Sequence, residues 1–118
     1  MHELSLAENI NNTIKELCER SALGRVRRVV LEVGRMRQVD PELLAFAFDV
    51  VSRGTVTEGA EVSILELPIV FMCHSCNREA GSDLPIFVCA NCGGRNVELR
   101  SGMELNIESM EVEGRQVL

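Results

Sequence analysis

The chain has 118 residues, of which 46 % are hydrophobic and 25 % charged, and carries a formal net charge of −6. That length suits one compact unit or one domain with a small appendage, and the acidic balance argues against a general nucleic-acid binder, whose phosphate contacts need a basic surface. Four Phe and no Tyr or Trp leave the core to Leu, Val and Ile.

At the amino terminus, Met1-His2-Glu3 lacks the basic stretch of a secretory signal. The longest apolar run, Leu67 to Cys73, is far too short to span a bilayer. Cysteines arranged for metal binding fit a reducing compartment, so a cytoplasmic protein without a membrane segment is expected. His2 directly follows the initiator methionine, and so bulky a second residue should leave that methionine in place. A free amine, the His2 amide nitrogen and the His2 imidazole then fall within one chelating loop. Nitrogen donors in a planar array suit Ni(II) or Cu(II), with Glu3 adding an oxygen or the next amide. The plainer alternative is an incidental surface histidine.

Ser5-Leu6-Ala7-Glu8 reads as a capping box ahead of an apolar stripe at Leu6, Ile10, Ile14, Leu17 and Cys18. With Gly24 as its stop, this predicts a helix from about Ser5 to Leu23, in which Cys18 is a buried core thiol. Val29, Leu31 and Val33 alternate with Val30 and Glu32 in a strand ending at Gly34. Asp40-Pro41 is an N-cap followed by proline at the first helical position, opening a second helix through Leu43, Leu44, Ala47, Phe48 and Val51 to near Gly54. Glu61 to Leu67 is the next strand, and Met103, Leu105 and Ile107 alternate with Glu104, Asn106 and Glu108 in a third. Arg25, Arg27, Arg28, Arg35 and Arg37 crowd one stretch, while Glu98, Glu104, Glu108, Glu111 and Glu113 line the C-terminal end. Solvated strand edges explain this, and so does a docking surface for an acidic partner.

Between the second and third strands lies the most specific pattern: Cys73-His74-Ser75-Cys76, twelve residues, then Cys89-Ala90-Asn91-Cys92-Gly93-Gly94. Paired C-x-x-C turns at this separation place four thiolates around one tetrahedral metal, and a closed all-sulfur shell favours a structural Zn(II). Two disulfides or a redox dithiol are the alternatives, but nothing nearby reads as a thioredoxin-type βαβ unit. His74, inside the first hairpin, is expected to point outward. The fold expected is α+β: a small three-stranded mixed sheet covered by two helices, with an inserted zinc-ribbon-like four-cysteine module. Residues 1–67 and 102–118 form the α/β domain and 68–101 the insertion, placed between neighbouring strands. A unit that small folds on its metal.

Met1-His2-Glu3-Leu4-Ser5, Val33-Gly34, Asp40-Pro41-Glu42-Leu43-Leu44, Phe46-Ala47-Phe48 and the two C-x-x-C hairpins occur in one order. Together they closely resemble the hydrogenase maturation nickel metallochaperone family, HypA/HybF, over the whole chain. The resemblance implies that His2 is the principal Ni(II) ligand, helped by Glu3, the Met1 amine and backbone nitrogens, and that Cys73, Cys76, Cys89 and Cys92 hold a structural Zn(II). It implies a carrier that catalyses no reaction and hands Ni(II) to the hydrogenase large subunit in concert with a maturation GTPase. Some members also serve urease, which adds urease accessory proteins to the implied partners. Some members carry a histidine just after a hairpin that can enter the zinc shell, where Asn77 and Gly93 stand here. A homodimer through an apolar face of the inserted module is a further expectation. The rival is a zinc-ribbon module binding nucleic acid, opposed by the net charge and by only Arg78, Arg95 and Arg100 near the hairpins. No Ser/His/Asp set or phosphate-binding glycine loop supports an enzyme.

Overall fold

A computed structural model describes residues 2–82, 84, 86–113 and 115–117. The chain divides into two compact units, the first of Met1–Leu31, Val39–Leu65 and Asn106–Leu118, the second of Glu32–Gln38 and Glu66–Leu105.

Helix α1 (His2–Arg20) and helix α2 (Pro41–Ser52) pack against each other in the first unit. Leu6, Ala7, Ile10, Ile14 and Cys18 of α1 are buried, as are Leu44, Ala47 and Phe48 of α2, so each helix hides one stripe at helical spacing. The sheet has the order β2-β1-β6-β7, from β1 (Val26–Gly34), β2 (Glu61–Leu67), β6 (Leu105–Val112) and β7 (Arg115–Val117). Val29 and Leu31 alternate into the core, joined by Val26, Met110 and Val112. The α+β architecture of two helices on a small mixed sheet is thus present, and β7 extends the three expected strands by a short hairpin with β6.

Local capping accounts for the helix ends. Asp40 caps α2, its Oδ1 accepting from the Glu42 and Leu43 amides, with Pro41 at the first position where no N–H is needed. Helix α1 departs from expectation at both ends. It starts at His2 rather than Ser5: nothing before Ser5 breaks a helix, and the Glu3 carboxylate holds the first turn by accepting the Asp40 amide. It stops at Arg20 because Ala22, not Gly24, takes the left-handed conformation (φ 51°) while the Leu23 amide bonds back to Cys18 O.

Three arginines of the basic stretch are answered within this unit. Arg27 meets Glu113 at 3.0 Å, Arg28 meets Glu111 at 3.9 Å, and Arg25 donates to Glu58 O. These contacts favour solvated strand edges over a docking surface for acidic groups.

In the second unit β3 (Ile69–Cys73) is the centre of a three-stranded antiparallel sheet, between β4 (Arg78–Ser82) and β5 (Val97–Ser101). Ile69, Phe71 and Cys73 alternate onto its buried face, and Phe87 sets its ring 5.2 Å from that of Phe71. Gly34 and Gly102 meet here: a Cβ on Gly34 would lie 2.0 Å from the Gly102 carbonyl oxygen. In sequence its longer segment, Glu66–Leu105, runs from the end of β2 to the start of β6. The two flanking strands are not neighbours, contrary to expectation, because β1 occupies the place between them.

Candidate metal centre

Strand β3 delivers Cys73 at its end, and the chain turns back into β4 through Cys76. Asn77 has φ 57° and donates its amide to Cys73 O at 2.8 Å. The second hairpin repeats the turn: Gly93 has φ 72° and donates to Cys89 O at 2.8 Å. The same bond and the same left-handed residue therefore close both C-x-x-C turns, each bringing its two sulfurs to one side. Asparagine and glycine are the residue types that enter this conformation at least cost. A further bond from the Cys89 amide to Gly94 O, and one from the His74 amide to Asn96 O, brace the hairpins.

The four sulfurs converge. Cys73 Sγ lies 3.6 Å from Cys92 Sγ, Cys76 Sγ lies 3.7 Å from Cys89 Sγ, and all four fall within 4.8 Å of one another. Zinc–sulfur bonds of about 2.3 Å in a tetrahedron separate the sulfurs by about 3.8 Å, so the cage has the dimensions of a tetrathiolate zinc site. It does not match disulfides, whose sulfurs sit at about 2.05 Å. Cys73 and Cys89 are buried, Cys76 half-buried and Cys92 exposed. Backbone donors prepare the thiolates. The Cys92 amide, followed by that of Asn91, lowers the Cys89 thiol to about 6. The amide of Cys76 lowers Cys73 against its burial, with help from Ser75. At Cys92 the Gly94 amide, 3.4 Å from Sγ, acts downward, but the thiols of Cys73 and Cys89 outweigh it and hold the group near 11. His74 stands outside the cage, its Nε2 3.7 Å from Glu98 Oε1, with Glu98 also meeting Arg100 at 3.2 Å.

At the other candidate site, His2 is exposed on the first turn of α1 and Glu3 is half-buried. The Glu3 Oε2 accepts the Asp40 amide at 3.2 Å, so the heads of the two helices adjoin. The Met1 amine expected to complete this site lies outside the described residues. Among the described residues, the cysteine quartet is the one group of three or more Cys, His, Asp or Glu side chains gathered closely enough to hold an ion.

Comparison with known proteins is decisive. A protein-family model for hydrogenase/urease nickel incorporation metallochaperones, HypA, matches residues 1–112. The chain belongs to the HypA family. It is 40 % identical over 113 residues to the hydrogenase maturation factor HypA of Trichormus variabilis, covering 96 % of each chain. The HypA of Rhodobacter capsulatus is 38 % identical, over 95 % of this chain and 99 % of its own. Two solved structures share the HypA fold: the nickel metallochaperone HypA from Helicobacter pylori (TM-score 0.68, 22 % identity, 93 % of this chain and 96 % of that one) and another HypA protein (TM-score 0.71, 24 % identity, 98 % of each).

Among the described residues of this HypA-family chain, the structure gathers the four expected cysteines into one group, of which His2 and Glu3 are not members. Sequence reasoning missed Asn77 as the left-handed partner of Gly93. The signal was available, since each residue directly follows the second cysteine of its hairpin. It also missed Asp40 as the neighbour of Glu3, a contact spanning 37 residues that no local pattern announces.

Proposed function

We propose that this HypA-family chain is a nickel carrier that takes up Ni(II) at its amino terminus and releases it to a hydrogenase precursor, and that Cys73, Cys76, Cys89 and Cys92 hold a structural zinc. The observation that carries the nickel half is the position of His2, exposed on the first turn of α1. Amides of a helix's first turn have no intrahelical carbonyl to serve, so they are free to join the imidazole and the terminal amine as donors. A planar set of nitrogens cannot form on helical backbone, so on loading His2 turns out of the helix into the solvent it already faces, while Glu3 and the turns after it keep their place. The partial positive charge of the helix start opposes a cation by about 0.3–1 kcal/mol, small beside several metal–nitrogen bonds. Glu3 offsets part of that and presents its second oxygen to the metal. Such a site opens one ligand at a time, as release to a partner requires.

Zinc, when bound, ties the two hairpins together and supplies no reactive position, since a shell of four thiolates is closed. The chain's own residues preset that cage: Asn77 and Gly93 turn the hairpins, and the amides of Cys76, Cys92 and Gly94 stabilise negative sulfur. We assign residues 1–67 and 102–118 to nickel handling and 68–101 to zinc. The protein acts as a carrier rather than an enzyme, in the cytoplasm, with a maturation GTPase and the hydrogenase large subunit as partners and urease accessory proteins as a further client system. No nucleic-acid role is included, because the chain is acidic and Arg27 and Arg28 are engaged by Glu113 and Glu111.

The test is a nickel titration of untagged, zinc-loaded protein beside His2→Ala, with zinc measured in both. At least about a tenfold loss of nickel affinity at unchanged zinc is expected, corresponding to about 1.4 kcal/mol of binding. Equal nickel binding by the two proteins would sink the terminal-site reading.

A further inference from the structure

The buried stripe of α1 is nearly self-similar under a shift of one turn. Leu6, Ile10, Ile14 and Cys18 are spaced four apart, so a helix displaced by about 5.4 Å would offer much the same apolar surface to its neighbours. Apolar contact is non-directional and discriminates poorly between such registers. The adjacent row breaks the degeneracy, because it reads Ala7, Asn11 and half-buried Lys15, and of these Asn11 is the buried polar one, with polar partners.

Those partners are specific. Asn11, 3 % exposed, donates through Nδ2 to Val51 O at 3.4 Å and Thr55 Oγ1 at 3.5 Å. Its Oδ1 accepts the hydroxyl of fully buried Thr57 at 2.5 Å. Thr55 in turn donates to Ser52 O at 2.6 Å and accepts the Thr57 amide at 3.3 Å. A one-turn slide would set against this group either Ala7, which has no polar side-chain atom, or Lys15, which cannot accept the Thr57 hydroxyl, and bonds left unmade are costly in a buried setting.

The consequence reaches the head of the helix. His2 lies nine residues before Asn11, and at about 100° per residue it is half a turn out of phase. A helix that turns Asn11 inward therefore turns His2 to solvent, where it is found. Glu3, eight residues before, falls on the flank and meets the Asp40 amide. We propose that Asn11 is a positioning residue for the nickel site: its bonds to Val51, Thr55 and Thr57 index α1 in one register and so present His2 outward with Glu3 against Asp40. The inference rests on the reading of His2 as nickel ligand. A buried polar side chain that specifies register is the best-attested use of such groups. Apparent nickel affinity then scales with the fraction of molecules in the indexed register.

Asn11→Leu and Thr57→Val, both near-isosteric, remove the index while keeping the packing. Ile14→Val trims the same helix interface without touching it and serves as the structural control. Amide spectra of the untagged, zinc-loaded, nickel-free proteins are recorded first, followed by titration with nickel sulfate. In Asn11→Leu the Asp40 amide is expected to shift or double, and nickel affinity to fall by about 3–10-fold as the competent fraction falls. Thr57→Val does the same to a smaller degree and carries the test if Asn11→Leu does not fold. Ile14→Val melts earlier but keeps the Asp40 signal and the affinity. An unmoved Asp40 amide with affinity within about twofold of wild type in both index variants overturns the proposal, as does an equal loss in Ile14→Val. If Asp40 responds but His2→Ala has no effect on nickel, the indexing stands and its functional half is overturned together with the terminal-site reading.

Discussion

Replacing Gly34 by alanine tests a close backbone approach in the unit that holds the four cysteines. The added Cβ would lie 2.0 Å from Gly102 O, 2.1 Å from Gly102 C and 2.6 Å from Met103 N. These are backbone atoms, so no side chain can swing away, and the strand end has to retreat by more than about 1 Å to reach ordinary contact. Two hydrogen bonds depend on the present spacing, Gly34 N–H to Glu104 O and Met36 N–H to Gly102 O, both 2.8 Å. Gly102 cannot yield easily, since its φ of 127° is glycine territory and its own Cβ position is 3.1 Å from Ile69 Cα. Overpacking of about 1–3 kcal/mol plus about 1 kcal/mol for each weakened bond gives a loss of about 3–5 kcal/mol. For a chain of this size that lowers the melting temperature by more than about 10 °C. Gly24→Ala is the matched control, because nothing lies within 4 Å of its added carbon. It is expected to be neutral or to stabilise by about 0.4–1 kcal/mol through the unfolded chain. Calorimetry of both variants in the zinc-loaded state decides the matter. A Gly34→Ala melting point within a few degrees of Gly24→Ala would refute the close-approach argument.

Zinc binding should release protons, but fewer than four at pH 7. Cys89, held near 6, is already largely thiolate there, whereas Cys92, near 11, still carries its proton. Protons compete with the metal, so apparent zinc affinity falls as pH drops, and more steeply below about 6 where Cys89 also protonates. Titration calorimetry in two buffers of different ionisation enthalpy counts the protons, and a release of four would show that Cys89 is not pre-ionised. Asp40→Ala removes the side-chain cap of α2 and is expected to cost about 1 kcal/mol. Urea denaturation measures it, and a loss under about 0.3 kcal/mol would show that the cap bonds carry no net stability.

How much of this was legible in the sequence depended on how local the signal was. Asp40-Pro41 fixed the start of α2 because both residues act on amides within one turn. The cysteine spacing located the metal cage because the hairpins are tight local turns. The start of α1 was misplaced since a capping box at Ser5 is compatible with a helix that continues through it, and the contact holding the earlier turn comes from Asp40, far along the chain. Met103 looked like the first residue of the last long strand, yet it is 48 % exposed, and burial there belongs to Ser109, Met110 and Val112. Alternation gave the strand type, while Gly102, with its unusual φ, set where the strand could begin. The place of β1 between β2 and β6 is a matter of long-range pairing, and no periodicity records it.

Two sulfur contacts in the cage, Cys73 to Cys92 and Cys76 to Cys89, run between the hairpins. Seen from the unfolded chain, an ion held this way is a crosslink that closes nested loops of thirteen and nineteen residue steps. Closing a loop of about fifteen residues removes about 3 kcal/mol worth of chain entropy from the denatured ensemble. Much of what a bound ion would do for this unit would therefore be done to the disordered chain, by limiting how far apart its two halves can wander.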